Sequence, residues 1–528
     1  MASSEEKRIE DELSYPILVA ERVRSAVEVA ESFKFECSEV WKQVDRLLQM
    51  IRTLVRFAAT ASPAQTLYER PIRRVASETA KNLERALTVV RKCKRRSILR
   101  RVFTIVSAAD FRKVFNYLDA SVGDMKWLLS IFDADGGIVL SLPPIASNDP
   151  ILSWVWSFIA SIQMGQLNDR IEAANELASL AQDNDRNKKI IVEEGGVPPL
   201  LKLFKEGTSP VGQIAAASAL CHLANDLERI NKELGKRSSG RSSNRSLADS
   251  YSNLYFSMEG SSRGGNHRKE RENEDPAVKL QLKISCAEAL WMLARGSVSN
   301  SRKITETKGM LCLAKIVEKE QGELQCNCLM TIMEITAAAE SNADLRRAAF
   351  KTNSPAAKAV VEQLLRIIKE VDSPALQIPA IKSIGSLART FPARETRVIE
   401  PLVTQLSNRN MDVAEEATSA LCKFASPDNF LYAEHSKAII EFNGVPALMR
   451  LLRSNEVTLS LHGITLLCYL ALHAGNSESL EQARVLTALE GADRTVLPQH
   501  IRELVSRAIV HLNLYHAGMN SQRMSYFP

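Results

Sequence analysis

The sequence predicts an all-α protein in two parts. An N-terminal four-helix-type bundle is followed by a right-handed α-solenoid of stacked repeats, interrupted by a disordered insertion. Three observations lead there. Apolar residues recur at helical spacing almost throughout, and no run alternates as a strand would. A short motif closing on Leu-Ala or its equivalent returns at a nearly regular interval after Pro150. The positive charge is gathered at the front: residues 1–130 hold 24 Lys and Arg against 17 Asp and Glu, while the whole 528-residue chain has a formal net charge of +6.

The bundle is expected over residues 12–131. In "VWKQVDRLLQMIRTLVRFA" (residues 40–58) Trp41, Val44, Leu48, Ile51 and Val55 form one helical stripe. In "FRKVFNYLDASVGDMKWLLSIF" the same spacing joins Val114, Leu118, Val122, Met125 and Leu129. Long amphipathic helices joined by short breaks argue for a bundle. A linker is expected over residues 132–149, where Gly136, Gly137, Pro143 and Pro144 interrupt any helix. Its Asp133-x-Asp135-Gly136 lacks the further acidic ligands of a calcium loop and reads as plain linker. The run "ILSWVWSFIASI" (residues 151–162) is too short to span a bilayer, which needs about 20 residues, and reads as a buried helix.

The repeats are expected over residues 150–516, with a tail at 517–528. "IEAANELASLA" closes at Ala181, "IAAASALCHLA" at Ala224, "ISCAEALWMLA" at Ala294, "IPAIKSIGSLA" at Ala388, "EEATSALCKFA" at Ala425 and "LHGITLLCYLA" at Ala471. Weaker copies lie near Met333 and Leu512. Apart from one gap of 70 residues, the step is 37–47 residues, counting the 94 from Ala294 to Ala388 as two. That is the period of armadillo and HEAT solenoids. "VEEGGVPPLLKL" returns as "IEFNGVPALMRLL". Gly196 and Gly444 are expected to take the left-handed conformation that ends one helix, and Pro198 and Pro446 to sit in the first turn of the next. This is the corner between the first two helices of an armadillo unit. The gap of 70 is explained by a Ser-, Arg-, Gly- and Asn-rich insertion at about residues 232–276, whose low hydrophobicity predicts disorder.

Four strings, "DGGIVLSLPPIASNDPILSWVW", "DNDRNKKIIVEEGGVPPLLKL", "ADLRRAAFKTNSPAAKAVVEQLLRIIKEVDS" and "SLARTFPARETRVIEPLV", resemble the plant Armadillo Repeat Only family. The resemblance covers nearly the whole chain. It implies a part in polarised tip growth, with Rho-type GTPase regulation, actin organisation and vesicle traffic as the pathway, and GTPase regulators or cytoskeletal and trafficking proteins as partners. Plant U-box ubiquitin ligases share a bundle-plus-armadillo layout, so the alternative expectation is an adaptor for ubiquitin-ligase substrates that lacks the U-box.

The sequence has no GxxxxGK[ST], no HExxH and no paired CxxC, and its eight histidines are scattered. The expectation is a binding protein that is no enzyme, with no cofactor and no metal. Nine cysteines, an odd number placed mostly in apolar helical stretches, read as reduced thiols of a cytoplasmic protein. The polar N-terminal stretch has no apolar run of the kind that directs secretion. Plasma-membrane periphery and the nucleus are the further locations in view.

In armadillo import receptors, third helices line the groove with repeated Trp–Asn pairs. Here the Asn-equivalent slots hold Ser179, His222, Met292, Ser386, Lys423 and Tyr469. The Trp-equivalent slots hold Asn175, Ser218, Glu288, Lys382, Ser419 and Thr465, so import-cargo reading is disfavoured. Lys382 and Lys423, with Arg295 and Arg389 one turn on, predict a positive mid-groove suited to an extended or acidic peptide.

The strongest charge run is "RKCKRRSILRR" (residues 91–101), and residues 70–101 hold twelve Lys and Arg against two Glu. At 100° per residue Arg74, Lys81, Arg85, Lys92 and Arg96 fall within about 60° of one another. Ile72, Thr79, Leu83, Ala86 and Val90 lie on the opposite side, and Glu78 is expected to pair with Arg74 or Arg85. Three readings stand for this face: a solvated helix surface, a patch for anionic membrane, or a nuclear-import signal. Aromatic interleaving is absent, which disfavours specific nucleic-acid binding. In the insertion, Ser238, Ser242 and Ser246 beside Arg237, Arg241 and Arg245 offer sites for basic-directed kinases. Phosphates there would reverse the local charge and let the loop compete for a positive groove.

Overall fold

The computed structural model describes residues 8–60, 67–94, 106–132, 138, 141–206, 209–234, 275–307, 309–351, 353–392, 396–452, 457–492 and 497–524. The regular structure of these residues is helical throughout. Arg96, Ser238, Ser242, Ser246, the body of the insertion and most of the linker's Gly-rich part lie outside the described residues. The chain divides into two compact units, Met1–Leu234 and Gly235–Pro528.

The first unit opens with four long helices, α1 (Ile9–Glu28), α2 (Lys34–Thr60), α3 (Glu69–Lys92) and α4 (Ala108–Ile131). Helices α1 and α4 each pack against both α2 and α3, the square arrangement of a four-helix bundle. On α2 the buried stripe runs through Val40, Val44, Leu47, Leu48, Ile51 and Leu54, which leaves Trp41 and Val55 half-exposed at its margin. On α3, Ile72, Thr79, Leu83, Ala86 and Val90 are all buried. Ser107 starts α4 with a reciprocal cap: its hydroxyl accepts from the Asp110 N–H, and the Asp110 carboxylate accepts from the Ser107 N–H.

A short 3-10 turn, Pro144–Ala146, leads out of the linker. It is tied to the bundle by the buried Asp124, whose carboxylate accepts from the Ile145 N–H at 2.7 Å. Burial raises the Asp124 pKa to about 6, against the pull of that hydrogen bond. Then follow α5 (Pro150–Met164), α6 (Leu167–Ala181), α7 (Asp185–Glu193), α8 (Val197–Glu206) and α9 (Pro210–Leu234). Helix α5 carries the apolar run, with Trp156 and Ile159 fully buried. No helix among the described residues is long and apolar enough to cross a membrane.

In the second unit, α10 (Pro276–Ala294), α13 (Glu323–Ser341), α16 (Pro374–Ser386), α18 (Met411–Ala425), α21 (Val457–His473) and α24 (Gln499–Met524) pack each on the next, as the third helices of successive repeats. Between them run the helices α11 (Val298–Glu306), α12 (Gly309–Lys319), α14 (Ala343–Ala349), α15 (Pro355–Glu370), α17 (Ile399–Gln405), α19 (Tyr432–Glu441), α20 (Gly444–Leu451), α22 (Glu478–Gln482) and α23 (Val485–Glu490). In the first unit α6 and α9 stack in the same way. Each repeat buries its apolar faces against its neighbours, which is why the motif must recur to be stable.

Buried amides recur at equivalent joints. Gln213 donates to the Phe204 carbonyl at 2.8 Å, and Gln325 to the Val317 carbonyl at 2.9 Å, each closing the end of the preceding helix. Asn187 and Asn300 do the same for the Leu180 and Leu293 carbonyls. Gln213 stands 11 residues before Ala224, and the matching position after Gln325 is Thr336. The weak repeat copy placed near Met333 therefore closes three residues later. The following step is long because α15 has 16 residues where α17 has 7.

The helix corners differ from expectation. Positive φ falls one residue earlier, at Gly195 (84°) and Asn443 (62°), and neither Gly196 nor Gly444 is left-handed. Those two glycines answer a steric demand: a Cβ on Gly196 would stand 2.7 Å from Ile191 Cγ2, and one on Gly444 2.7 Å from both Ile439 Cγ2 and the Ile439 carbonyl oxygen. Gly309 repeats the arrangement against Ile304, 2.5 Å from its carbonyl oxygen.

Candidate functional site

The third helices of the second unit bring Lys382 (α16) and Lys423 (α18) onto one face. Lys382 Nζ lies 3.5 Å from Glu416 Oε2 on the next helix. Lys423 reaches the other way, its Nζ 2.8 Å from Glu340 Oε2 at the end of α13, two third helices back. Residue 385 on the intervening α16 is Gly. A Cβ there would stand 3.0 Å from Ala420 Cβ and 3.7 Å from Lys423 Cδ, so the missing side chain lets α18 approach and leaves room for the lysine to cross. Burial raises the Glu416 pKa, and Lys382 and Lys423 pull it back down. Arg389 Nη2 is 3.6 Å from Asp428 Oδ2. Arg295, just past α10, is exposed and has no carboxylate partner among the described residues.

Three of the four cations expected to make the mid-groove positive are thus matched by the protein's own carboxylates. Reading the equivalent slot of each repeat finds the lysines and misses Glu340 and Glu416, because the pairs run across helices between different slots. Exposed pairs of this kind contribute only about 0–1 kcal/mol each.

On α3 the described residues of the predicted basic stripe, Arg74, Lys81, Arg85 and Lys92, are all exposed. Glu78 pairs with Lys81 at 3.1 Å and Arg85 at 3.6 Å. The Arg85 guanidinium also lies over the Tyr117 ring, 4.8 Å from its centroid. The alternative pairing of Glu78 with Arg74 does not form. Arg74 turns to the first repeat, its Nη1 3.3 Å from Glu194 Oε1 and its guanidinium 5.5 Å from the Trp156 ring centroid. The other Glu194 oxygen accepts from the Trp156 indole N–H at 2.8 Å, and the Glu194 carbonyl accepts from the Tyr68 hydroxyl at 2.8 Å. Trp127 of α4 packs on Trp156 at 5.7 Å between ring centroids. One carboxylate at the α7–α8 corner thereby joins bundle and repeat. No local sequence signal links Arg74 to a residue 120 positions away.

The scattered histidines conceal one meeting. His473 Nδ1 is 3.1 Å from Ser436 Oγ, and its ring lies 4.3 Å from that of Tyr432. Burial lowers its pKa to about 4, with the nearby His511 adding to the effect. His511 itself has Nδ1 3.0 Å from the Ala471 carbonyl oxygen. Among the described residues no group of three or more His, Cys, Asp and Glu side chains is placed to hold a metal ion.

Two family models match the chain: a domain of unknown function (DUF7792) over residues 10–133, and an armadillo/beta-catenin-like repeat over residues 184–225. Among solved structures, an engineered protein from a structural genomics consortium aligns over 93% of this chain and 99% of its own, with TM-score 0.50 and 19% identity. A designed armadillo repeat protein aligns over 50% of this chain and 99% of its own, with TM-score 0.38 and 17% identity. Another, solved in complex with the peptide (KR)4, aligns over 46% and 97%, with TM-score 0.36 and 20% identity. No curated protein matches the chain. The helix order, the stacked third helices and the matched repeat define an armadillo-repeat protein, an all-α solenoid preceded by a helical bundle.

Proposed function

We propose that the chain is a non-enzymatic scaffold whose third-helix face binds extended segments of signalling or trafficking proteins. The observation that carries this reading is the set of ion pairs on that face, Lys382–Glu416 and Lys423–Glu340. The lysines are half-exposed, each pair is weak in water, and each can be exchanged for a partner's carboxylate at small cost. The resemblance to the Armadillo Repeat Only family supports the pathway: polarised tip growth, with Rho-type GTPase regulation and actin organisation, in the cytoplasm. The exposed cations of α3 support peripheral docking on the anionic plasma-membrane leaflet, since each Lys or Arg near such a surface contributes ~1 kcal/mol.

The test is affinity capture from tip-growing plant cells with wild type and the K382E/K423E variant. GTPase regulators or cytoskeletal proteins are expected with wild type and at least tenfold depleted with the variant. An identical partner set from both proteins overturns the assignment of the face. Recovery of ubiquitin-ligase subunits in their place selects the adaptor reading.

A further inference from the structure

A cleft in the second unit shares no residue with the paired cations above. It opens between the end of α14, the first turns of α15 and the segment that follows α16. Its floor is apolar, formed by Phe350, Val361, Leu387 and Phe391, all buried. That floor is anchored: the Phe391 ring stacks on Phe424 at 5.9 Å, and Phe424 meets His435 edge-on at 5.1 Å. The cavity measures about 90 Å³. An apolar cavity of ~150 Å³ takes a benzene ring, so this one suits a branched or linear aliphatic side chain better than an aromatic one.

The rim is cationic. Lys351 and Lys358 both line the cleft and both are exposed. Neither has a carboxylate partner among the described residues, in contrast to Lys382 and Lys423. Arg397 adds a third positive side chain to the lining. An apolar socket rimmed by unmatched ammonium groups complements a short peptide that carries one aliphatic residue among carboxylates.

We propose that this cleft is a second peptide-recognition site, which seats a Leu, Ile or Met side chain of an acidic linear motif and holds the motif's carboxylates on Lys351 and Lys358. It goes beyond the third-helix reading, because it needs neither Lys382 nor Lys423. The side chain anchors by burial, and the flanking charges set orientation and salt sensitivity.

Isothermal titration with the full-length protein tests it. The probe is a synthetic peptide, acetyl-Glu-Asp-Glu-Leu-Asp-Glu-Asp-amide, with Ile, Met and Ser versions at the central position. The aliphatic versions are expected to bind, more weakly at high salt, and the Ser version at least tenfold more weakly. K351E/K358E, which alters only exposed side chains, is expected to lose binding while keeping the wild-type circular dichroism. K382E/K423E is expected to bind as wild type does. No heat with any aliphatic version at millimolar peptide overturns the proposal, as does equal binding of the Ser version or of K351E/K358E. Binding lost only in K382E/K423E moves the peptide to the third-helix face and overturns it too. Sedimentation with phosphatidylserine vesicles is the remaining arm. Lys351- and Lys358-dependent sedimentation without peptide binding assigns the cations to lipid and also overturns it. Partner capture through Lys382 and Lys423 stands or falls separately.

Discussion

Glu194 shows how much one side chain can hold. Its carboxylate takes a guanidinium on one oxygen and a buried indole N–H on the other. Replacement by Ala leaves the Trp156 N–H without an acceptor, and orphaning a buried donor costs about 1–3 kcal/mol. Gln keeps an acceptor and loses only the partly exposed charge pair. We therefore expect Glu194→Ala to lower the midpoint of denaturant unfolding, followed by tryptophan fluorescence, and Glu194→Gln to lower it by less than half as much. Equal losses would show that the charge, and not the indole acceptor, matters. His473 makes the second prediction. Its folded pKa of about 4 lies below the unfolded value near 6.5. The unfolded chain therefore binds more protons between those values, and stability present above pH 6.5 is lost as pH falls towards 4. Thermal melts at pH 7, 6, 5 and 4.5 should show a decline that is shallower in His473→Asn; parallel curves would exclude His473 as the cause.

At the scale of the element, the helix corners are the most regular device in the repeats. The sequence pattern GVP and its relatives showed where the corners fall, because Gly and Pro punctuate helices whatever their neighbours are. It did not show why the second residue of the Gly-Gly and Asn-Gly pairs must be Gly, since the clash is with an Ile five residues earlier, across the turn. Nor did it show the corner at Gly309, which has no Pro behind it. Gly444→Ala and Gly309→Ala each press a methyl group on a backbone carbonyl oxygen, and overpacking of this kind costs about 1–3 kcal/mol. Gly296 is the control: its φ is +65° and no atom lies within 4 Å of a Cβ there, so Ala meets no clash and costs only the ~1–2 kcal/mol of a left-handed backbone. Melting temperatures should fall further for Gly444→Ala than for Gly296→Ala, and the reverse order would refute the steric account. The same division applies to the candidate sites. The basic stripe of α3 was legible because seven- and four-residue spacings fix a helix face. The partners of Lys382, Lys423 and Arg74 were not, because each lies on another helix or at a corner distant in sequence.

For the whole molecule, the charge asymmetry makes a prediction about surfaces. Arg74 is already engaged at the joint between bundle and repeats, so membrane docking would rest on Lys81, Arg85, Lys92 and the adjoining basic run. Sedimentation with vesicles containing phosphatidylserine should fall at least tenfold in K81E/R85E/K92E and on raising salt well above 0.15 M, where the screening length shrinks below about 8 Å. Vesicle binding indifferent to both changes would leave the stripe as a solvated surface. The all-helical layout and the repeat period were readable in the chain alone, since they depend on local spacing. The compact unit that continues through the linker to Leu234 was not. Its cause lies in the Trp127–Trp156 ring contact and in the Tyr68 hydrogen bond to the Glu194 carbonyl, which form only after folding. That meeting has a practical outcome. The end of a repeat array is an open apolar face and needs a polar cover to remain monomeric. Here the front four helices serve as that cover, so a truncation starting at Pro150, where composition invites the cut, should strip Trp127 from Trp156, bare the Trp156 ring and aggregate.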